Sequence, residues 1–512
     1  MNRLGRVAWL LGAVVLVAVG GCESGSDQEK DTSRSFPGTT ITVAAVGDPA
    51  ALTAVRVWKT TWERDTGGTV KFAEAPVSPG DFGGADVILF PGDRMGELVV
   101  GRMVLGALLD STVRPPIPMG NEAQPVDPLA FNDIVPPFRD QVSKYGSDRM
   151  GLPLGGSALV LVYRRDAFES DANKAAAREK GLTLAPPKTW AELDALIGFF
   201  HGRDWDGDGQ PESGIAAALG ADAEGVGDAL FLNRAAALGQ HPDHYALVFN
   251  PDTMEPRIAS PPFVEAMTAL AAWKGLTPPK GETFDAEAAR AAFRAGDTAF
   301  LIDRAERASR WTDPKKPASV GVAALPGSPR VYDPDRKLWQ EARSGLNRAP
   351  YLPRGGGWLV GMSASTSGRT RDAALDFLRT LAGPETSRGL LTEPAFPMLP
   401  IRNAQLGSGL PDPRSALGVD SRDWGAAVAQ TITNPRAVPG LRIPGTAAYL
   451  AELTKARIAV LAGAPAESAL ADAARAWDAI SKRLGVPTQL WHYRRSLNKL
   501  VTDPRPPGDD AK

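Results

Sequence analysis

Asp204-Trp205-Asp206-Gly207-Asp208-Gly209-Gln210-Pro211-Glu212 sets carboxylates at positions 1, 3, 5 and 9 of one segment, with glycine at position 6. Calcium takes about six to eight oxygen ligands, and Asp204, Asp206, Asp208 and Glu212, with the backbone carbonyl of Gln210, are the donors such a loop would offer. The run resembles the first half of an EF-hand loop, but Ile215 stands where a closing bidentate glutamate belongs. Three aspartates this close repel one another unless a cation or water screens them. The expectation is a structural Ca2+ site; a solvated Asp/Gly turn is the competing one.

Other chemistry is sparse. The sequence has no Gly-x-Ser-x-Gly elbow, no His-Glu-x-x-His, no Gly-x-x-x-x-Gly-Lys phosphate loop and no Gly-x-Gly-x-x-Gly following a strand. It has four histidines, and the nearest pair, His241 and His244, flanks a proline in a loop. The single cysteine, Cys22, excludes an intramolecular disulfide and a thiolate zinc cluster. The expectation is a binding protein, not an enzyme.

Cys22 has a use of its own. Residues 1–21 place Arg3 and Arg6 before an apolar run that is short for a membrane span, and small residues follow: a secretory signal. Val19-Gly20-Gly21-Cys22 resembles the bacterial lipobox, whose cysteine becomes the lipidated first residue. Removing the leader takes two arginines and no acid from a chain of net charge -2. The exported remainder is mildly acidic and has no long basic run, which argues against nucleic acid as a partner. Residues 22–38 are polar and Gly/Ser-rich, a flexible tether between membrane and body. The body's length fits two or more lobes, and 12 tryptophans against 7 tyrosines mark an excess of large flat rings.

The body reads as alternating strands and helices. Strands are expected at 40–46, 70–72 and 86–90, and further ones at 158–163, 298–302, 320–324 and 358–362. Helices are expected near 189–200, 227–238, 262–273, 285–295, 371–382, 446–461 and 466–484. Thr189-x-x-Glu192 is a capping box. The stretches 326–357 and 394–416 read as long irregular loops. This alternation predicts an α/β fold with parallel sheets, and ligands of such sheets sit beyond the strands' carboxyl ends, where Asp48 and Asp93 fall.

Several segments, in order, resemble the sugar-type (family 1) extracellular solute-binding proteins of bacterial ABC importers, the family of maltose-binding protein. They are Val87–Gly96, Pro186–Leu193 (PPKTWAEL), Ala295–Ile302, Val320–Gly327 (VGVAALPG), and Gly356-Gly357-Trp358 with the helix Asp372–Leu381. The resemblance implies a type II periplasmic-binding-protein fold, each lobe a mostly parallel sheet flanked by helices, with the ligand cleft at the hinge. It places one lobe at 40–154 plus 361–404, the other at 158–355 plus 405–485, and a C-terminal extension at 486–512. Hinge crossings then fall near Gly155-Gly156, Gly356-Gly357 and residue 404, where glycine suits backbone rotation.

A sugar needs charged groups around its hydroxyl edge and a ring against its C–H face. The ligand-binding set this implies is Asp48, Asp93, Arg94, Ser157, Asp303, Glu306, Gly357 and Trp358. Arg402, Arg442 and Trp311 are secondary candidates; Trp58, Trp62 and Trp190 fit helical core positions. Ser157 stands where maltose binders carry an acid, so a different carbohydrate is indicated. The resulting expectation is a monomeric, lipid-anchored extracytoplasmic receptor that closes on a carbohydrate and delivers it to the transmembrane permease subunits of an ABC importer. Rival readings are an orphan receptor feeding a sensor and a surface-anchored glycan-acting enzyme.

Overall fold

The computed structural model describes residues 35–101, 129–313, 315, 318–391, 393, 396–406 and 418–499. Cys22, the leader and most of the tether lie outside the described residues, as do 500–512.

The opening alternation folds into one sheet. β1 (Thr40–Ala45) pairs in parallel with both β2 (Thr69–Phe72) and β3 (Val87–Pro91). The helix Ala50–Thr66 links the first two and ends at Gly67, whose φ of 72° supplies the left-handed turn. Its buried face carries Ala51, Leu52, Val55 and Trp62. Trp62 donates its Nε1–H to Asp376 over 2.8 Å and meets the Phe377 ring edge-on. It is a core residue, as its helical spacing requires. β4 (Leu152–Gly156) and β9 (Gly357–Met362) complete the order β2-β1-β3-β9-β4.

β5 (Leu159–Arg164), β6 (Ser213–Ala216), β7 (Thr298–Arg304) and β8 (Val320–Ala324) form the second sheet, in the order β8-β5-β7-β6. Leu159, Leu161 and Tyr163 of β5 face one apolar cluster, while Val160 and Val162 face the other. Burial on both faces explains why this strand reads as an unbroken apolar run. Both sheets are mixed: β9 runs against β3 and β4, and β5 against β7 and β8. β4, β5 and β9 adjoin the crossings between sheets, so they enter from those links and not through a strand-helix-strand unit.

The seven expected helices are present, each start and end within about three residues of the periodicity. The capping box forms: Thr189 Oγ1 accepts from Glu192 N–H at 3.1 Å, and Glu192 Oε2 accepts from Thr189 N–H at 3.3 Å. The stretch 326–357 is more ordered than its Pro/Gly content predicts. It holds a hairpin, Arg330–Asp333 against Leu338–Glu341, closed by the Asp333 carboxylate, which accepts the N–H groups of Asp335 and Arg336 at 3.0 Å each.

The chain passes between sheets at two adjacent points among the described residues, Gly155-Gly156 and Gly356-Gly357; the crossing expected near residue 404 leads into 407–417, outside the described residues. β4 ends in Gly155-Gly156, and β5 begins after the two linking residues Ser157 and Ala158. Gly156 exchanges backbone hydrogen bonds with Leu399 (3.0 and 2.9 Å), and Ser157 N–H donates to Gly356 O at 2.9 Å. The glycines are required for close approach: a Cβ on Gly357 would overlap the Gly155 carbonyl oxygen, one on Gly155 would strike Met398, and one on Gly356 would strike Val142.

The C-terminal extension adds a helix, Val486–Ser496, that touches both halves. Tyr493 belongs to the second apolar cluster beside Phe249, while His492 Nδ1 lies 3.0 Å from the hydroxyl of Tyr145, a member of the first. Arg442 is fully buried between them. It donates to the carbonyls of Gln141, Val142 and Lys144 at 3.0–3.2 Å, and to Ser496 O.

Candidate ligand-binding cleft

Asp48 ends the turn after β1, and its Oδ1 accepts the Ala50 N–H at 2.9 Å. After β3 the chain makes one 3-10 turn, Gly92–Arg94, which packs on a second, Pro353–Gly356. Gly92 permits that contact, because a Cβ would overlap the Gly355 carbonyl. The packing brings Asp93, Arg94 and Arg354 to one side. From the second sheet, β7 delivers Arg304 and then a 3-10 turn bearing Glu306 and Arg307. Ser157 lies on the link between β4 and β5.

These groups line two adjoining spaces. A chamber of about 280 Å³ has Asp93, Arg94 and Arg354 on one wall, with Glu224, Asp228 and Thr454 among the facing residues. A recess of about 20 Å³ is lined by Asp48, Ser157, Arg304, Glu306, Arg307 and Trp358. Arg354 lines both. Trp358 is 6 % exposed, with its ring edge-on to Phe396 at 5.0 Å between centroids. A larger cavity of about 420 Å³ lies elsewhere, between residues 240–248, 435–441 and the C-terminal helix.

Six of the eight expected ligand residues therefore meet: Asp93 and Arg94 in the chamber, and Asp48, Ser157, Glu306 and Trp358 in the recess. Asp303 and Gly357 line neither space. Asp303 is fully buried, paired through both oxygens with Arg290 (2.7 and 3.1 Å) and accepting the Trp311 indole N–H at 2.8 Å. Strand alternation explains the difference, since Arg304, the next residue along β7, points to the recess. Gly357 contributes close backbone contact. Trp311 is core, and Arg442 binds backbone carbonyls away from both spaces. Arg402 does the same, donating to Leu129, Ala130 and Ala382.

The residues missed by sequence reasoning are Glu224, Arg304, Arg307 and Arg354. Glu224 precedes the helix Val226–Gly239 and joins Arg290, Arg304 and Arg307 in one network. Burial pushes its carboxyl up, but hydrogen bonds from Arg290 and the charge of Arg304 outweigh this and hold it at about 2, against 4.5 ordinarily. A pKa lower in the folded state stabilises fully above about pH 4.5, and that stability is lost as pH falls through about 2. Melting temperature is therefore expected to fall across this window, and Glu224→Gln to flatten part of the fall. An equally steep acid limb in the variant would contradict the assignment.

Asp93 and Glu306 behave oppositely. Burial raises both carboxyls above the usual range, against the pull of Arg354 and Arg94 on Asp93 and of Arg304 on Glu306. Ser157 Oγ donates to Glu306 Oε1 at 2.5 Å, while Glu306 Oε2 and Asp93 Oδ1 are buried without partners. Unpartnered buried oxygens in a cleft are groups that a ligand can satisfy.

The acidic loop lies apart from the cleft. Single oxygens of Asp204, Asp206, Asp208 and Glu212 fall within 4.8 Å of one another. Asp204 also accepts the N–H groups of Gly207 (2.7 Å) and Gly209 (3.0 Å), and Asp208 that of Gln210 (2.8 Å). Glu212 is buried and accepts from Trp205 N–H at 3.0 Å; burial, then the charges of Asp206, Asp208 and Asp204, raise its pKa.

The model of the family described as bacterial extracellular solute-binding protein matches residues 63–404. Among solved structures, a ribitol-complexed ABC transporter solute-binding protein from Agrobacterium radiobacter K84 aligns with a TM-score of 0.61 at 20% identity, over 88% of this chain and 100% of its own. Maltose-bound MalE3 of T. maritima aligns at 0.60 with 18% identity, covering 86% and 100%. A D-mannitol-bound solute-binding protein from Agrobacterium vitis S4 aligns at 0.57 with 16% identity, covering 87% and 99%. No curated protein matches the chain. Among the described residues, no helix is long and apolar enough to cross a membrane.

Proposed function

The chain belongs to the bacterial extracellular solute-binding proteins, and from that premise we propose that it captures a carbohydrate in the cleft and delivers it to the permease subunits of an ABC importer. The observation that carries this reading is the meeting of Asp93, Arg94, Asp48, Glu306 and Trp358, from distant parts of the chain, around the chamber and recess. Carboxylates and guanidinium groups serve a sugar's hydroxyl edge, and the indole serves its apolar face. The chamber is at the small end of ligand sites, which run about 300–1,000 Å³, so a monosaccharide or polyol fits it better than a long oligosaccharide. The relatives bound to ribitol, mannitol and maltose support the class.

The lobes we assign are 40–154 plus 361–404 and 158–355 plus 405–485, with Cys22 as the lipid attachment. Ligand that bridges both lobes only when they are together shifts the population toward the closed form, and the permease reads that form. The role requires no reaction on the ligand.

Thermal melting against a panel of polyols, mono- and disaccharides, with acidic sugars among them, tests this. Ligand at about 100 times its Kd should add about 2.7 kcal/mol. Asp93→Ala and Trp358→Ala should fold yet lose the shift. If no member of the panel raises the melting temperature of the wild-type protein, the carbohydrate reading falls.

We also propose a structural Ca2+ held by Asp204, Asp206, Asp208 and Glu212, with the Gln210 carbonyl. The close approach of the four carboxylates supports it. Chelator should lower the melting temperature and Asp206→Asn should remove that sensitivity. A melt indifferent to chelator would exclude the ion.

A further inference from the structure

Three arginines line the recess, and two of them carry buried donors without partners. Arg304 is 3 % exposed; one terminal nitrogen pairs with Glu224, but its Nε is buried without a partner. Arg307 Nε stands 3.6 Å from Glu224, beyond hydrogen-bond reach, and is buried and unpartnered too. Arg354 makes no ion pair among the described residues, though it feels the charge of Asp93.

Two acids, Asp48 and Glu306, are the carboxylates lining the same recess. Asp48 already accepts from Ala50, and Glu306 Oε1 accepts from Ser157 and stands 3.9 Å from a terminal nitrogen of Arg304, too far for a hydrogen bond. Buried guanidinium N–H groups need acceptors, and a carboxylate or phosphate supplies them without bringing a donor that would face another donor.

The backbone adds an independent sign. Arg354 sits at φ 52° and ψ 35°, between Pro353 and Gly355, in the left-handed region that glycine favours. Non-glycine residues held there collect at ligand clamps, where the side chain's use outweighs the strain. Size divides the work: the recess has room for about one water-sized group, whereas the chamber beyond Arg354 holds about 280 Å³.

Resting on the carbohydrate reading above, we propose that the ligand is an acidic sugar, its ring in the chamber against Asp93 and Arg94, and its carboxylate or phosphate beside Arg354 with one oxygen entering the recess toward Arg304 and Arg307.

The test is calorimetric titration of the purified protein at low salt with glucuronate, galacturonate and glucose 6-phosphate, beside glucose and galactose. At least one acid should bind about tenfold or more tightly than its neutral parent, and added salt should narrow the gap. The uronate and phosphate arms identify the anion. Arg354→Gly, which relieves the backbone, should keep the melting temperature and abolish the preference; Arg307→Gln should reduce it. Neutral sugars that bind as tightly as their acids would overturn this inference and leave the carbohydrate reading intact. So would a preference that survives both substitutions. If neither neutral nor acidic sugars bind, both readings fall, even if acetate or inorganic phosphate alone is retained.

Discussion

Asp303→Ala is expected to destabilise the protein by about 3–5 kcal/mol. The side chain is fully buried and accepts three hydrogen bonds, two from Arg290 and one from Trp311. Its removal leaves Arg290, itself 0 % exposed, with Glu224 and Glu287 as its remaining counter-charges. Breaking a buried pair from one side costs more than deleting it whole, so Asp303→Leu combined with Arg290→Met should recover part of the loss. Chemical denaturation of the two variants checks the claim. A single substitution within about 1 kcal/mol of wild type would mean that the pair is screened as at a surface. Were Asp303 a ligand contact instead, affinity would fall and the denaturation midpoint would not move.

Gly357→Ala should cost about 3 kcal/mol or more, the sum of backbone strain and overpacking. The residue has φ 145°, and its Cβ would overlap the carbonyl oxygen of Gly155 on the neighbouring crossing. The two crossings would be forced apart where β9 meets β4, so ligand affinity should fall together with stability. Gly47→Ala is the control: its φ of 85° is also positive, but a Cβ there meets nothing within 4 Å. Comparable losses in the two variants would show that dihedral strain, not close approach, sets the requirement at residue 357.

The strands and helices were legible because their patterns are local. ALVLVY at 158–163 announces a strand buried on both faces, and Thr189-x-x-Glu192 announces a helix start. The turns after β1 and β3 were legible for a general reason, that strand ends in such sheets face ligand, and the structure puts Asp93 in the lining of the chamber and Asp48 in that of the recess. Asp303 and Arg304 show where this stops. Adjacent strand residues face opposite ways, and nothing in the sequence says which one meets the recess until the register of β7 against β5 is known. Arg354 was hidden differently. Its run, Pro353-Arg-Gly-Gly-Gly, reads as loop, and only the packing of that turn on Gly92 turns it toward the cleft. The hairpin at 330–341 escaped because its turn is closed by the Asp333 carboxylate and not by an Asn-Gly pair.

Arg442 and the helix Val486–Ser496 form a noncovalent tie between the two apolar clusters, beside the covalent links at Gly155-Gly156 and Gly356-Gly357. Any displacement of Tyr145 away from Tyr493 must break the His492 contact and strip Arg442 of carbonyl acceptors on one side. Removal of residues 486–496 would therefore take away a contact that joins the two clusters without a covalent bond.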